Sequence, residues 1–158
     1  MYMNWGLKVP PVFHLLTPLA EAGIEFKYVH VVRHGLDMAF SSNQNQVRNW
    51  GWRFRIEAQD PPTPAECFRY WVLANQQAMA EAAACKIDHV VLNFDDLCAH
   101  PREEIGRLMS FAEVSAKHED SLMQLVQPPS TLRRRDGQDC SFVTPADWEA
   151  LGAFGFGR

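Results

Sequence analysis

Residues 28–41 carry the clearest chemistry in this sequence. Arg33 directly follows the apolar run 28–32, and Ser41 lies eight residues further along the chain. A guanidinium at the carboxyl end of a buried strand, with a hydroxyl near the start of the following helix, can bind one phosphate or sulfate group. Gly35 would let the backbone approach such an anion closely. The segment therefore predicts an anion clamp formed by Arg33 and Ser41.

The same residues have a structural interpretation. Arg33 could pair with Asp37, and Ser41 could then be an ordinary helical residue. The segment 50–55 offers a similar choice, because it contains two Trp and two Arg residues. These side chains could stack on an aromatic ligand or pack back on the core.

The elements that must position the clamp follow from the sequence pattern. Residues 26–32 and 89–94 are rich in β-branched and aromatic side chains and predict two strands. Residues 46–63 predict a surface loop, and residues 95–101 predict a turn. Helices are predicted at residues 12–22 with a kink at Pro18, 37–46, 63–85, 101–112, 116–127 and from 144 onwards.

This alternation is typical of an α/β fold with a parallel sheet and flanking helices. We expect the two strands to be parallel neighbours or near-neighbours, with helices on at least one face. A normal sheet has about four to six strands. The sequence therefore predicts a single, partial domain over residues 1–158.

Composition excludes several classes of protein. The chain has 158 residues, 47% of them hydrophobic, which argues against disorder, and its net charge of -4 argues against general nucleic-acid binding. The four Cys residues have no C-x-x-C spacing, so we expect reduced thiols and no metal site. No apolar run approaches the length of a membrane span or forms a secretory signal. We expect a cytoplasmic protein that has no membrane partner.

The clamp resembles the 3′-phosphate-binding motif of sulfotransferases that use 3′-phosphoadenosine 5′-phosphosulfate (PAPS). In that motif an Arg ends a strand, an Asp follows after four residues and a Ser after eight, as do Arg33, Asp37 and Ser41. Three further elements are similar to family elements in the same order, namely the Lys-x-Pro at residues 8–10, the later strand and its ending at residues 90–101, and the basic stretch at residues 130–134.

The resemblance implies a P-loop-like sulfotransferase fold and PAPS as co-substrate, with adenosine 3′,5′-bisphosphate as the nucleotide product. It implies that Arg33, Ser41 and Gly35 bind the 3′-phosphate. Arg134 is the best match to a basic residue that closes over that phosphate. The alternative for the run 133–135 is a solvated set of charges.

Catalytic roles are also implied by the resemblance. Lys8 would lie near the transferring sulfuryl group, where its charge would stabilise oxygens that become more negative. His14 is the first candidate for the general base and His34 the second. The alternatives are a solvated Lys and structural His residues. The acceptor would be a hydroxyl or amine on a small molecule, carbohydrate or peptide.

Two departures from the family pattern shape the expected function. Phe94 stands where the family usually has Tyr. None of the nine Gly residues is followed by Ser or Thr, so the 5′-phosphosulfate loop is missing, and no Walker-type phosphate loop is present. We therefore expect a sulfotransferase domain that is incomplete at its N-terminus and so impaired that this chain alone is inactive in transfer. We also expect it to form a homodimer. The alternative is a non-catalytic module that binds adenosine 3′,5′-bisphosphate or phosphate, and a related phosphate-transfer enzyme is disfavoured.

Overall fold

The fold consists of two strands and a set of mostly short helices. The computed structural model describes residues 6–157. Strand β1 is Lys27–Val32 and β2 is Asp88–Asn93. The α-helices are α1 (Leu16–Glu21), α2 (Gly35–Ala39), α3 (Asn45–Trp50), α4 (Pro64–Ala84), α5 (Phe94–Ala99), α6 (Pro101–Ala112), α7 (Glu119–Met123) and α8 (Pro145–Gly152). Short 3₁₀ helices cover Pro10–Leu15, Gly51–Phe54 and Ala116–His118.

The two strands are parallel neighbours, as predicted. Lys27 lies opposite Asp88 and Val32 opposite Asn93. A parallel pair needs a crossover connection, and the longest helix, α4, lies within it. Within residues 6–157 the sheet contains these two strands alone. The predicted α/β architecture with flanking helices is confirmed.

Helix α4 forms as predicted because its first turn carries strong start signals. The Thr63 hydroxyl accepts a hydrogen bond from the Glu66 amide at 3.3 Å, and the Glu66 carboxylate accepts one from the Thr63 amide at 2.7 Å. This capping box satisfies two amide groups that a helix start leaves unpaired. Phe68 and Trp71 on this helix are buried in the main hydrophobic core.

The two faces of β1 differ in environment. Tyr28, His30 and Val32 alternate along the strand and are buried, whereas Val31 on the opposite face is 56% exposed. This alternation shows that one face of the strand packs against the core. The other face of β1 is partly open to solvent.

The predicted helix 37–46 is wrong, because the chain forms two helices there. Helix α2 ends at Ala39 and α3 begins at Asn45. The side-chain amide of Gln44 donates hydrogen bonds to the carbonyl groups of Met38, Ala39 and Ser41. These bonds satisfy carbonyl groups at the end of α2 and stabilise the turn between the helices.

Four other predicted boundaries need correction. The helix predicted at 12–22 divides into a 3₁₀ part and α1, because Pro18 has no amide for the bond to the fourth residue before it. The predicted loop 46–63 contains α3 and a 3₁₀ helix. The predicted turn after β2 is α5, since the Asn93 side chain accepts bonds from the Asp95 and Asp96 amides. The helix predicted at 116–127 is limited to the 3₁₀ helix and α7.

Candidate anion-binding site

A cleft of about 830 Å³ runs along β1 to its carboxyl end. Its lining includes Lys8, Arg33 and Ser41, which were all predicted from the sequence to be site residues. Lys8 is exposed, whereas Arg33 and Ser41 are half-buried. The fold therefore brings a lysine, an arginine and a serine to one concave surface. Residues of these types can bind an anion together.

Arg33 has donor capacity that its protein contacts do not use. Its Nη2 donates to the carbonyl and hydroxyl oxygens of Thr131 at 3.5 and 3.3 Å, and its guanidinium lies 5.2 Å from the centre of the Phe94 ring. Its Nε is buried and has no hydrogen-bond partner. An unsatisfied buried donor is costly, and an arginine carries five N–H groups. Arg33 can therefore donate a further hydrogen bond to an acceptor such as a bound anion.

The Arg33–Asp37 ion pair considered from the sequence does not form. Asp37 instead accepts hydrogen bonds from the amides of Arg133 and Arg135 at 2.8 and 3.1 Å, and from the Arg135 guanidinium at 3.1 Å. Arg134 Nη1 is 3.5 Å from the main-chain oxygen of Asp37. The basic run therefore packs on α2 beside Arg33.

Ser41 lies outside the helix that the sequence assigned to it. Its Oγ accepts a hydrogen bond from the Asn43 amide at 3.3 Å, in the turn between α2 and α3. The Ser41 hydroxyl proton can still be donated to an anion in the cleft.

Gly35 has a packing role in this fold. A Cβ atom built on Gly35 would lie 2.7 Å from a Trp71 ring atom and 2.8 Å from a Phe68 ring atom. Helix α2 can therefore approach α4 this closely only with glycine at position 35. The close contact with Trp71 and Phe68 is thus a reason for glycine at position 35. The sequence had suggested a different reason, the close approach of the backbone to a phosphate.

The two histidine candidates have different surroundings. His14 contacts Phe13 and Trp50 with ring centres 3.9 and 4.9 Å away, and both of its buried ring nitrogens have no hydrogen-bond partner. Burial, and then the charge of Arg53, lower its pKa. His34 is only 2% exposed, and its Nδ1 accepts a hydrogen bond from the Leu36 amide at the start of α2.

The pKa of His34 is lowered to about 4, first by burial and then by the nearby charge of Arg135. His34 is therefore neutral at physiological pH and caps α2. His14 is also favoured in its neutral form, and its ring nitrogens are free of competing bonds. Of the two, only His14 has a ring lone pair that accepts no hydrogen bond, but its ring nitrogens are buried and His14 is not among the residues that line the cleft.

Three residues that line the cleft form a hydrogen-bonded chain that was not predicted from the sequence. Tyr28 Oη is 2.6 Å from His30 Nδ1, and His30 Nε2 is 2.8 Å from the Asn75 side-chain oxygen. Because that oxygen accepts, Nε2 carries the proton and Tyr28 donates to Nδ1. Burial lowers the pKa of His30. The alternation of β1 could have revealed Tyr28 and His30 as one inward-facing pair, whereas Asn75 comes from α4.

The sequence left open whether Trp50 and Trp52 pack on the core or stay free to stack on an aromatic ligand, and the two residues differ in this respect. Trp50 is half-buried and packs against His14 and the core, whereas Trp52 is 67% exposed. The Arg53 guanidinium lies 5.7 Å from the Trp52 ring centre.

One of three comparisons with known proteins gives a match to this chain. A model of the sulfotransferase family matches residues 1–119, three quarters of the sequence, and this range includes Lys8, Arg33 and Ser41. No curated protein and no solved structure gives a significant match. The helices described between residues 6 and 157 include none long and apolar enough to cross a membrane.

Proposed function

Because the chain belongs to the sulfotransferase family, we propose that its cleft binds the adenosine 3′,5′-bisphosphate part of PAPS. The observation that carries this proposal is the unsatisfied, buried Nε of Arg33 at the carboxyl end of β1. Ligands of parallel α/β sheets bind at this edge. The 3′-phosphate would accept hydrogen bonds from Arg33 and Ser41. Arg134, held beside Asp37, would add a further positive charge.

PAPS supplies a sulfuryl group for transfer to a hydroxyl or amine of a small molecule, carbohydrate or peptide. Lys8 lines the same cleft and would place a positive charge near oxygens that become more negative as the group leaves. His14 stays the candidate for the base that accepts the proton of the acceptor group: its lowered pKa favours the neutral ring, and the neighbouring Val12 and Phe13 line the cleft. Gly35 would contribute through the packing of α2.

A second function is supported by a feature of the sequence. No Gly residue is followed by Ser or Thr, so these 158 residues offer no loop of the family type for the 5′-phosphosulfate. Positioning of the reacting groups can supply about 7–11 kcal/mol of rate. We propose that these residues alone bind the nucleotide weakly by its 3′ end and give no detectable transfer of the sulfuryl group. If the chain transfers no sulfuryl group at all, its function is that of a non-catalytic module that binds the nucleotide or phosphate.

Calorimetry with adenosine 3′,5′-bisphosphate tests the binding site directly. Adenosine 5′-phosphate is the matched ligand without the 3′-phosphate and is expected to bind more weakly. Arg33→Ala should lose about 2–4 kcal/mol of binding free energy, because it removes the charged partner of the phosphate. Ser41→Ala should lose less, because a neutral hydrogen bond is worth about 0.5–1.5 kcal/mol.

Arg102→Ala is the matched control, since Arg102 is exposed and pairs with Glu119 and Asp120 away from the cleft. Equal affinity of Arg33→Ala and the unmodified chain would refute the site. Transfer is measured separately with labelled PAPS and phenolic, alcohol and amine acceptors. Transfer well above the uncatalysed rate would exclude the non-catalytic function.

A further inference from the structure

Asp37 has an environment that its sequence position does not explain. Its side chain is only 1% exposed, yet it carries a charge and lies four residues after Arg33. A buried carboxylate is tolerated when hydrogen bonds and an opposite charge compensate for lost hydration. Within residues 6–157, the donors that bind the Asp37 carboxylate come from Arg133 and Arg135, almost a hundred residues away in sequence.

The backbone of the basic run is shaped to receive this carboxylate. Arg133 has a positive φ of 58°, and the amides of Arg133 and Arg135 both point at Asp37, one to each oxygen. Successive amides around a left-handed residue form a concave anion site. Here the occupant of that site is the protein's own carboxylate.

The run is attached to the candidate site at a second point. Thr131 accepts hydrogen bonds from Arg33 Nη2, so Arg33 and Asp37 contact the same segment, residues 131–135. Arg135 is committed to the Asp37 carboxylate, whereas Arg134 makes one long contact of 3.5 Å to a main-chain oxygen. Fixing the backbone of this segment therefore fixes where Arg134 can reach.

We infer that Asp37 is a positioning residue of the nucleotide site. Its carboxylate holds residues 131–135 beside Arg33 and thereby presents Arg134 to a bound phosphate, without contacting that phosphate. The inference rests on the proposed nucleotide-binding function.

This role can be tested by whether one substitution raises or lowers the affinity for the nucleotide. Asp37→Asn removes a negative charge near an anion site, and electrostatics alone would then strengthen nucleotide binding. Positioning predicts the opposite result, because Asn has one acceptor oxygen where Asp37 uses two and cannot neutralise Arg135. We expect Asp37→Asn to weaken binding of adenosine 3′,5′-bisphosphate by about tenfold to a hundredfold, the scale of losing one charge-assisted hydrogen bond from Arg134 to the phosphate.

Asp136→Asn is the matched control, because Asp136 is an exposed carboxylate in the same basic region and the charge change is identical. It should leave the affinity unchanged or raise it slightly. Equal or tighter binding by Asp37→Asn would overturn the inference and would identify Asp37 as a competitor of the ligand.

Limited trypsin digestion supplies a measurement that needs no nucleotide. Cleavage after Arg133 and Arg134 should be faster in Asp37→Asn than in the unmodified chain and in Asp136→Asn. Arg135→Met serves as the second variant if Asp37→Asn does not fold, and it should accelerate cleavage less, since both amide bonds to Asp37 are kept. Unchanged cleavage in a folded Asp37→Asn or Arg135→Met variant would refute the anchoring.

The two proposals fail in different ways. If the unmodified chain binds no adenosine 3′,5′-bisphosphate, the proposed function is refuted, and the role of Asp37 in presenting Arg134 to a phosphate is refuted with it. If the unmodified chain binds and Asp37→Asn binds equally well, the proposed function stands and the positioning role is refuted.

Discussion

Replacing Gly35 by alanine tests whether this glycine serves packing. The added Cβ would lie 2.7–2.8 Å from ring atoms of Trp71 and Phe68 on α4. Both rings are buried, and they stack with centres 6.0 Å apart, so neither can move without disturbing the core. Forcing an extra methyl group into a well-packed core costs about 1–3 kcal/mol.

Gly106→Ala is the matched control. Gly106 lies inside α6, where an added Cβ meets no atom within 4 Å. Alanine in a helix interior is favoured over glycine by about 0.5–1 kcal/mol. The same substitution should therefore lower the free energy of unfolding at position 35 and raise it at position 106.

Urea unfolding followed by circular dichroism and Trp fluorescence measures both changes. In thermal unfolding of the same variants, a change of 1 kcal/mol in the free energy of unfolding would shift the Tm of a chain of this size by about 2–4 °C. An unfolding free energy for Gly35→Ala equal to or above that of the unmodified chain would refute the packing argument. Unchanged stability together with weaker nucleotide binding would instead favour direct approach of Gly35 to the phosphate.

Two other predictions concern pH and association. The folded chain holds the pKa of His34 near 4, below its ordinary 6.5, so the unfolded chain takes up a proton first as the pH falls. The free energy of unfolding should therefore decline between pH 6.5 and 4, and less steeply in His34→Asn, which keeps an acceptor for the Leu36 amide; equal slopes in urea titrations would contradict this. Val31 is exposed on β1, whose sheet has two strands within the described residues, so we expect self-association that Val31→Lys reduces. Sedimentation showing a monomer at all concentrations would refute it.

Local signals explain why much of the fold was predictable. The strands β1 and β2 are short β-branched runs, and Thr63-Pro64 with Glu66 marks the start of α4 within four residues. These preferences act between near neighbours in sequence, and the connection rule then makes the strands parallel. The helix boundaries around Ser41 were wrong because the Gln44 side chain, which the periodicity does not register, ends α2 early.

The sequence by itself determined the residue types of the site and their order: an arginine at a strand end, a serine eight residues later and a lysine before the first helix. Only the tertiary structure decided their partners. The pairing of Asp37 with Arg33 was one of two interpretations that the sequence left open. In the fold Asp37 binds Arg133 and Arg135 instead, because a buried carboxylate is stabilised by whichever donors reach it through space. Such contacts join residues that are distant in sequence, and no local preference encodes them.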